Sequence, residues 1–316
     1  MSQSSAQAAS SADPAAPPAR AAAPLRVVVT GGSGRVAAHV LRELVARGHA
    51  CVNVDRRAPH HPVPGVRWVY ADLACREQVQ PLFEAADAVC HLGEIPTHHA
   101  PIPPEEIYFT NCRIGATVLQ TAADLKLRRF IYTSTCQTYG VWDTPAVPPL
   151  HLPFDETHPL QPQNVYALSK AANERYARYV AERHGLSVAA LRLPWVMTHD
   201  DWGDDAIEWL KRKTGPTDGL ETYLHGTDAA RAFARALEHS RPGFEAYHLT
   251  AADIMSFRPL ARRLAEHHPT FPELPADWPP YKSPVLLDKA KAHFGWEPQV
   301  SIRDRIKAKM GEVPEV

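Results

Sequence analysis

Short apolar runs rich in β-branched residues alternate along the chain with longer stretches whose apolar positions recur every three to four residues. The first run, at 27–29, leads through a glycine turn into a helical pattern over 35–47 and then a second apolar run at 51–54. That order predicts a strand, helix, strand unit with a right-handed parallel crossover. Further strands are expected in "VRWVYADL", "DAVCHLG", "RFIYTST" and "SVAALRL", and helices over 104–125 and within "NVYALSKAANERYARYVAERHG". Strands that are apolar on both faces, alternating with amphipathic helices, predict an α/β fold built on a doubly wound parallel sheet covered on both sides.

Beyond residue 194 the pattern loses regularity. A helix over 226–239 and a strand in "EAYHLT" read as returns to the core, "FRPLARRLAEHH" reads as a helix, and "PTFPELPADWPPYKSP" as an irregular loop. The expected organisation is therefore a core over 25–194 and a small C-terminal substrate-binding lobe that takes up most of 195–316, with 223–250 rejoining the core. Such a lobe sits at the carboxyl edge of the sheet, where ligands of this architecture bind. Residues 1–24 are almost all Ala, Ser, Pro and Gln, a composition that buries no core and predicts a disordered tail.

The segment "TGGSGRVA" joins the first strand to the first helix. Gly31 permits the tight turn, Gly34 lets the backbone approach a pyrophosphate, and the opening N–H groups around Ser33, Arg35 and Val36 face its charge. Ala37 stands where a third glycine is usual. Asp55 ends the second strand 24 residues after Gly31, placed to accept hydrogen bonds from both ribose hydroxyls and to repel a 2′-phosphate. This favours NAD over NADP, and Arg56 and Arg57 just behind it soften the preference. Asp72 and Leu73 close the third strand, where a carboxylate meets an adenine amino group or simply water. In "HLGEIP", Leu92 and Gly93 end the fourth strand, and Gly93 lets the chain pass close to a cofactor.

"NVYALSK" places Tyr166 and Lys170 at i and i+4, on one helix face. An ammonium there favours phenolate and lowers the tyrosine pKa. Read alone, the pair is equally an ordinary turn of amphipathic helix. A dinucleotide turn, an acidic ribose ligand and a hydroxyl on the preceding strand supply the partners that such a pair needs for hydride chemistry.

Taken in order, "TGGSGRVA", Asp55, "ADL", "HLGEIP", "FTNCRIGATVLQTA", "RRFIYTSTCQTYG", "YALSK", "LRLPWV", "YLHGTDAARAFARALE" and "AKAHFGWEPQVSIRD" resemble the extended short-chain dehydrogenase/reductases, the NAD-dependent epimerase/dehydratase family, over nearly all of 25–304. The resemblance implies a Rossmann sheet and NAD as cofactor. It implies Tyr166 as catalytic acid/base, Lys170 as the residue that lowers its pKa and binds nicotinamide ribose, and Thr135 as the hydroxyl that orients substrate. Thr133, Asn111 and Pro194 then join the cofactor residues. A homodimer through the helices at 104–125 and 165–184 is a further expectation of the family.

Two departures bear on the substrate. Nucleotide-sugar members carry an asparagine shortly after "LR", where this chain has Trp195, and an arginine before the terminal "GW", where it has lysines, Lys282 and Lys289 among them, but no arginine. Losing these contacts forfeits much of the binding energy for a diphosphate. A smaller substrate is expected, a free sugar, sugar acid or similar polyol, handled by a dehydrogenase. A nucleotide-sugar 4-epimerase is the alternative enzyme, and a non-catalytic NAD-sensing protein the alternative of another class. Cys136 and Gln137, where dehydratases carry an acidic pair, disfavour dehydration. Glu94, the loop "IPTHHAP" and "THDDW" are candidate pocket-lining elements.

Charge is balanced, with 34 Lys and Arg against 35 Asp and Glu, so neither nucleic acid nor a membrane surface is an expected partner. No apolar run is long enough to cross a bilayer, and the N-terminal segment lacks the features of a secretory signal. The five widely spaced cysteines read as thiols in a reducing compartment, and the cytoplasm is the expected location. The histidine doublets and His199-Asp200-Asp201 do not form a clustered ligand set, and no metal is expected.

Overall fold

The computed structural model describes residues 23–143, 145–198 and 220–311. Most of the expected N-terminal tail, residues 1–22, and most of the "THDDW" segment, including His199-Asp200-Asp201, lie outside the described residues.

Strand β1 (Arg26–Thr30) is buried at every position after the first. Val27 and Val29 point to one face of the sheet and Val28 to the other, and each side meets its own apolar cluster. With β2 (Ala50–Val54), β3 (Arg67–Val69), β4 (Ala88–His91), β5 (Arg129–Thr135), β6 (Ser187–Leu193) and β9 (Phe244–His248), it forms a seven-stranded sheet in the order β3-β2-β1-β4-β5-β6-β9. Every pairing is parallel. Helix α1 (Arg35–Ala46) and helix α5 (Gly226–Glu238) cover one face through Val40, Leu44, Phe233 and Leu237. Helices α2 (Arg76–Phe83), α3 (Pro104–Asp124) and α4 (Val165–His184) cover the other through Phe83, Val118 and Val180.

The strand order reverses between β1 and β4, which opens a crevice at their carboxyl ends. The chain leaves β1 at Gly31 and β4 at Leu92 and Gly93, so the two glycine turns stand side by side over that crevice. Gly31 has φ +69°, and a Cβ there would lie 2.5 Å from the Cα of Gly93.

Some elements differ from the pattern reading. The third strand ends at Val69, so Asp72 and Leu73 lie in the turn that leads to α2 rather than at a strand end. Helix α2 itself is short and contains Pro81, which masks its periodicity in the sequence. A second, two-stranded parallel sheet pairs β7 (Trp195–Met197) with β8 (Tyr223–His225).

C-terminal to β9, helix α6 (Leu260–His267) packs Leu260 and Leu264 with Trp142, Phe154 and Phe271 in a cluster away from the sheet. Helix α7 (Asp288–Phe294) instead returns: Ala290, Phe294 and Trp296 join the cluster under α1 and α5. Asp228 fastens this return, accepting from the backbone N–H of Gln299 and Val300, while its carbonyl accepts from the Trp296 indole. Helix α8 (Ile302–Met310) is tied in by Tyr223, whose hydroxyl accepts from the Ile302 N–H at 2.6 Å and donates to Asp253.

Candidate active site

Helix α1 opens on Gly34, which has extended backbone and offers no side-chain cap, and its first turn holds no acidic residue. The opening N–H groups of a helix without a capping side chain form an anion site. Gly31, Gly34, Arg35 and Val36 line one end of a cleft of ≈ 630 Å³. Ser33 is not among its lining residues: its hydroxyl donates to the Arg57 carbonyl at 2.6 Å and its N–H to Asp55 at 3.2 Å, which braces the turn.

Asp55 accepts a second backbone N–H, from Arg57, at 2.9 Å. A carboxylate has about four lone-pair positions, so room remains for two ribose hydroxyls. Arg56 and Arg57 line the same end of the cleft, and Asp72, Leu73, Leu92 and Gly93 its middle. At the far end stand Thr133, Tyr166, Lys170 and Leu193. The Thr133 hydroxyl is buried without a hydrogen-bond partner, an unmet demand that a polar group of a ligand would satisfy. An uncapped helix start, a carboxylate with spare acceptor capacity and an orphaned hydroxyl, set along one elongated cleft, fit a dinucleotide.

The start of α4 brings the expected tyrosine and lysine together. Asn164 caps it by accepting from the Ala167 N–H at 2.8 Å, which fixes Tyr166 in the first turn and Lys170 one turn on. Both are buried, at 8% and 3% exposure, and the ammonium lies 5.7 Å from the Tyr166 ring centroid. Thr135, at the end of β5, reaches the phenol with its hydroxyl, a contact that favours the phenolate. Its own backbone links are an acceptor bond from the Gln137 N–H and a donor bond to the Leu193 carbonyl, both 3.3 Å.

In one respect the electrostatics differ from the sequence expectation. Burial pushes the Tyr166 phenol above its ordinary pKa, Lys170 pulls it down, and Glu94 pushes it up again. The cation alone does not decide the balance, because an i+4 spacing reveals neither the burial of the phenol nor the anion behind the lysine.

Other expected residues occupy different places. Asn111 is fully buried and does not line the cleft; its amide accepts from the Ile95 N–H at 2.8 Å and donates to the Ile95 carbonyl and the Ser169 hydroxyl. It anchors the loop after β4. Pro194 follows the lining residue Leu193 without lining the cleft itself, and Trp195 is 44% exposed in β7. Glu94 is a lining residue, yet its carboxylate turns inward to the Lys170 ammonium at 2.7 Å, and its side chain is 1% exposed.

That ion pair escaped the sequence reading, as did the lining residues Thr110, Ile114 and Leu193. A signal existed for Glu94: an acidic residue directly after a buried strand and glycine needs a cation from elsewhere in the fold. Its partner was already singled out in "YALSK".

Known proteins resemble the chain along most of its length. It is 27% identical to dTDP-D-glucose 4,6-dehydratase of Homo sapiens over 89% of this chain and 88% of that one. It is 28% identical to L-arabinose 1-dehydrogenase (NAD(P)(+)) of Haloferax volcanii over 69% of this chain and 84% of that protein. Its fold matches the crystal structure of a Thermus thermophilus UDP-glucose 4-epimerase in complex with NAD at a TM-score of 0.65, with 25% identity over 88% of this chain and 95% of the other. The model of the NAD dependent epimerase/dehydratase family matches residues 27–250, more than half of the chain. The dinucleotide cleft and this match agree, and the chain belongs to the NAD-dependent epimerase/dehydratase family, as an enzyme whose cofactor is NAD.

Proposed function

We propose that the chain oxidises a secondary alcohol or lactol of a small carbohydrate, a free sugar or sugar acid, with Thr135, Tyr166 and Lys170 as its catalytic residues. The observation that carries this reading is the gathering of a buried phenol, ammonium and hydroxyl at the inner end of the dinucleotide cleft. In the oxidative direction Tyr166 takes the proton of the substrate hydroxyl at its phenolic oxygen, and Thr135 holds that oxygen. Lys170 stabilises the phenolate and offers an N–H to the nicotinamide ribose. NAD, held by the turn from Gly31 to Val36, Asp55, Asp72, Leu73, Leu92, Gly93 and Thr133, supplies the hydride acceptor.

The lobe supports a small substrate. Lys289 and Lys291 are paired with Glu245 and Glu297, each at 2.8 Å, and Lys282 rests on the Trp278 ring at 4.5 Å, so the three lysines of this segment are already engaged. Trp195 offers an exposed indole where an amide would reach a sugar phosphate. Against dehydration, the Cys136 thiol is buried against the Arg192 carbonyl at 3.3 Å, and Gln137 accepts from Asn164 at 3.1 Å. Neither side chain is a carboxyl group. The second reading, a nucleotide-sugar 4-epimerase, draws on the likeness to the Thermus enzyme along nearly its whole length.

The substrate lobe in this reading comprises 195–198, 220–222 and 251–311 of the described residues, with α7 packed back under α1 and α5. The chain pairs with a second copy through the outer faces of α3 and α4, where Phe109, Leu168 and Tyr179 are exposed. It works in the cytoplasm, a setting in keeping with five free thiols.

The test is NADH absorbance with free sugars, sugar acids and UDP-sugars. Net NADH from a free sugar or sugar acid supports the proposal; interconversion of UDP-sugars without net NADH establishes the epimerase instead. Binding of NAD with no turnover of any of them leaves the sensor. Tyr166→Phe should lower turnover by at least about 100-fold, and undiminished turnover would overturn the mechanism.

A further inference from the structure

The hydride chemistry above makes no use of Glu94, yet each oxygen of this carboxylate has two partners. Its Oε2 meets the Lys170 ammonium at 2.7 Å and accepts from the Tyr132 hydroxyl at 3.3 Å. Its Oε1 accepts from Asn173 at 2.9 Å and faces His91 Nε2 at 3.1 Å. Nδ1 of the same ring lies 2.6 Å from the Thr30 hydroxyl, which holds the imidazole in place against the carboxylate. Three elements, β4, β5 and α4, converge on one carboxylate whose side chain is 1% exposed. A buried anion is expensive unless paired and fully hydrogen-bonded, and this one is both.

The consequence falls on Lys170. An ammonium has three N–H donors. One meets Glu94 and a second the Thr133 carbonyl, each at 2.7 Å, which leaves a single donor for a ribose hydroxyl. The nitrogen is thus fixed before any cofactor arrives, with a negative charge on its far side.

We infer that Glu94 is a positioning residue for Lys170: it pins the ammonium for its ribose contact and, as a counter-charge, restrains that ammonium from driving off the Tyr166 proton. The inference rests on the proposed acid/base role of Tyr166. Among the described residues, the titratable and charged groups around this pair are Glu94 and His91 from the end of β4, Tyr132 from β5, Cys136 from the turn after it, and Glu174 from α4, the last already paired with Arg192 at 2.6 Å. Thr135 adds its hydroxyl. Burial and Glu94 push the phenol upward while Lys170 and Thr135 pull it down. Removing the negative charge leaves the pull of Lys170 less opposed, so phenolate then forms at lower pH.

The test needs no substrate. Phenolate absorbance of the full chain is titrated against that of Tyr166→Phe, so that the difference reports Tyr166 alone. The native phenol should ionise no lower than an ordinary tyrosine, about 10, and a phenolate already present at neutral pH overturns the inference. The same pair of titrations in the Glu94→Gln background should place the phenol lower by roughly one pH unit. In kinetics with the most active free sugar of the NADH screen, the acidic limb of kcat/KM should move down by that amount. That is an approximately tenfold gain at a fixed pH on the limb, and Glu94→Asp should restore the native limb. A purely structural Glu94 would lower the melting temperature and scale the whole profile without moving the limb, and an unmoved or raised limb overturns the inference. If Glu94→Gln does not fold, a native phenol that ionises below an ordinary tyrosine still overturns the inference, and Glu94→Asp, which keeps the counter-charge, should leave the titration at the native position. Loss of the Tyr166 role is separately visible, as turnover that survives Tyr166→Phe.

Discussion

Asp55 stands between two opposing influences. Its carboxylate, held by the Ser33 and Arg57 N–H groups, lines the cleft together with Arg56 and Arg57, and in the proposed reading it repels a 2′-phosphate. Neutralising the one anion should leave the two cations in control. Asp55→Asn is expected to raise the ratio of kcat/KM for NADP over NAD by at least about tenfold, about 1.4 kcal/mol in relative transition-state stabilisation; a ratio that stays at the native value would show that Asp55 does not select the cofactor. At this scale the sequence was readable wherever chemistry fixes a local spacing. Asp55 follows the glycine turn at a set distance, and Tyr166 and Lys170 share a helix face. Glu94 has no such spacing to its lysine. The two meet only because β4 and β5 are neighbours and α4 crosses above them, so the partner and its effect on the phenol needed the fold.

Among the elements, the turn between β1 and α1 is held by contacts that a single methyl would disturb. Gly31 donates its N–H to the Val54 carbonyl at 2.8 Å and adopts φ +69°, a region that costs most side-chain-bearing residues about 1–2 kcal/mol. Its absent Cβ is also the space through which the Gly93 backbone passes. Gly31→Ala should therefore separate the β1 and β4 turns. The expected outcome is a fall of several degrees in melting temperature together with loss of the upward shift that NAD gives the native protein, both read in one thermal titration; a variant that NAD still stabilises to the native extent would place the dinucleotide elsewhere. The β1-α1-β2 unit was legible because each of its elements has its own periodicity and the turn has its own residues. The third strand was expected in "VRWVYADL", but its early end at Val69 was not legible, nor was α2, an eight-residue helix containing Pro81 that is too short to display a period.

Across the whole molecule, α3 and α4 lie side by side on one face of the sheet, and their outer surfaces carry large apolar groups that the sheet cannot cover. Phe109 on α3 is 64% exposed, and Leu168 and Tyr179 on α4 are 46% and 50% exposed. Single exposed apolar residues are ordinary, but several on two adjacent helices make a face that a second copy can bury symmetrically. Burial of that face would also reach the site, because Leu168 lies between Tyr166 and Lys170 in the first turns of α4 and Asn111 on α3 anchors the loop that carries Glu94. The double substitution Phe109→Glu and Tyr179→Glu puts two carboxylates per chain at the proposed contact, while both positions are solvent-facing in the single chain. Sedimentation should show the native protein as a dimer and the variant as a monomer with its secondary structure intact. Turnover of the variant should fall with the loosening of α4, and a native protein that sediments as a monomer would remove the second copy from any account of how Tyr166 and Lys170 are held.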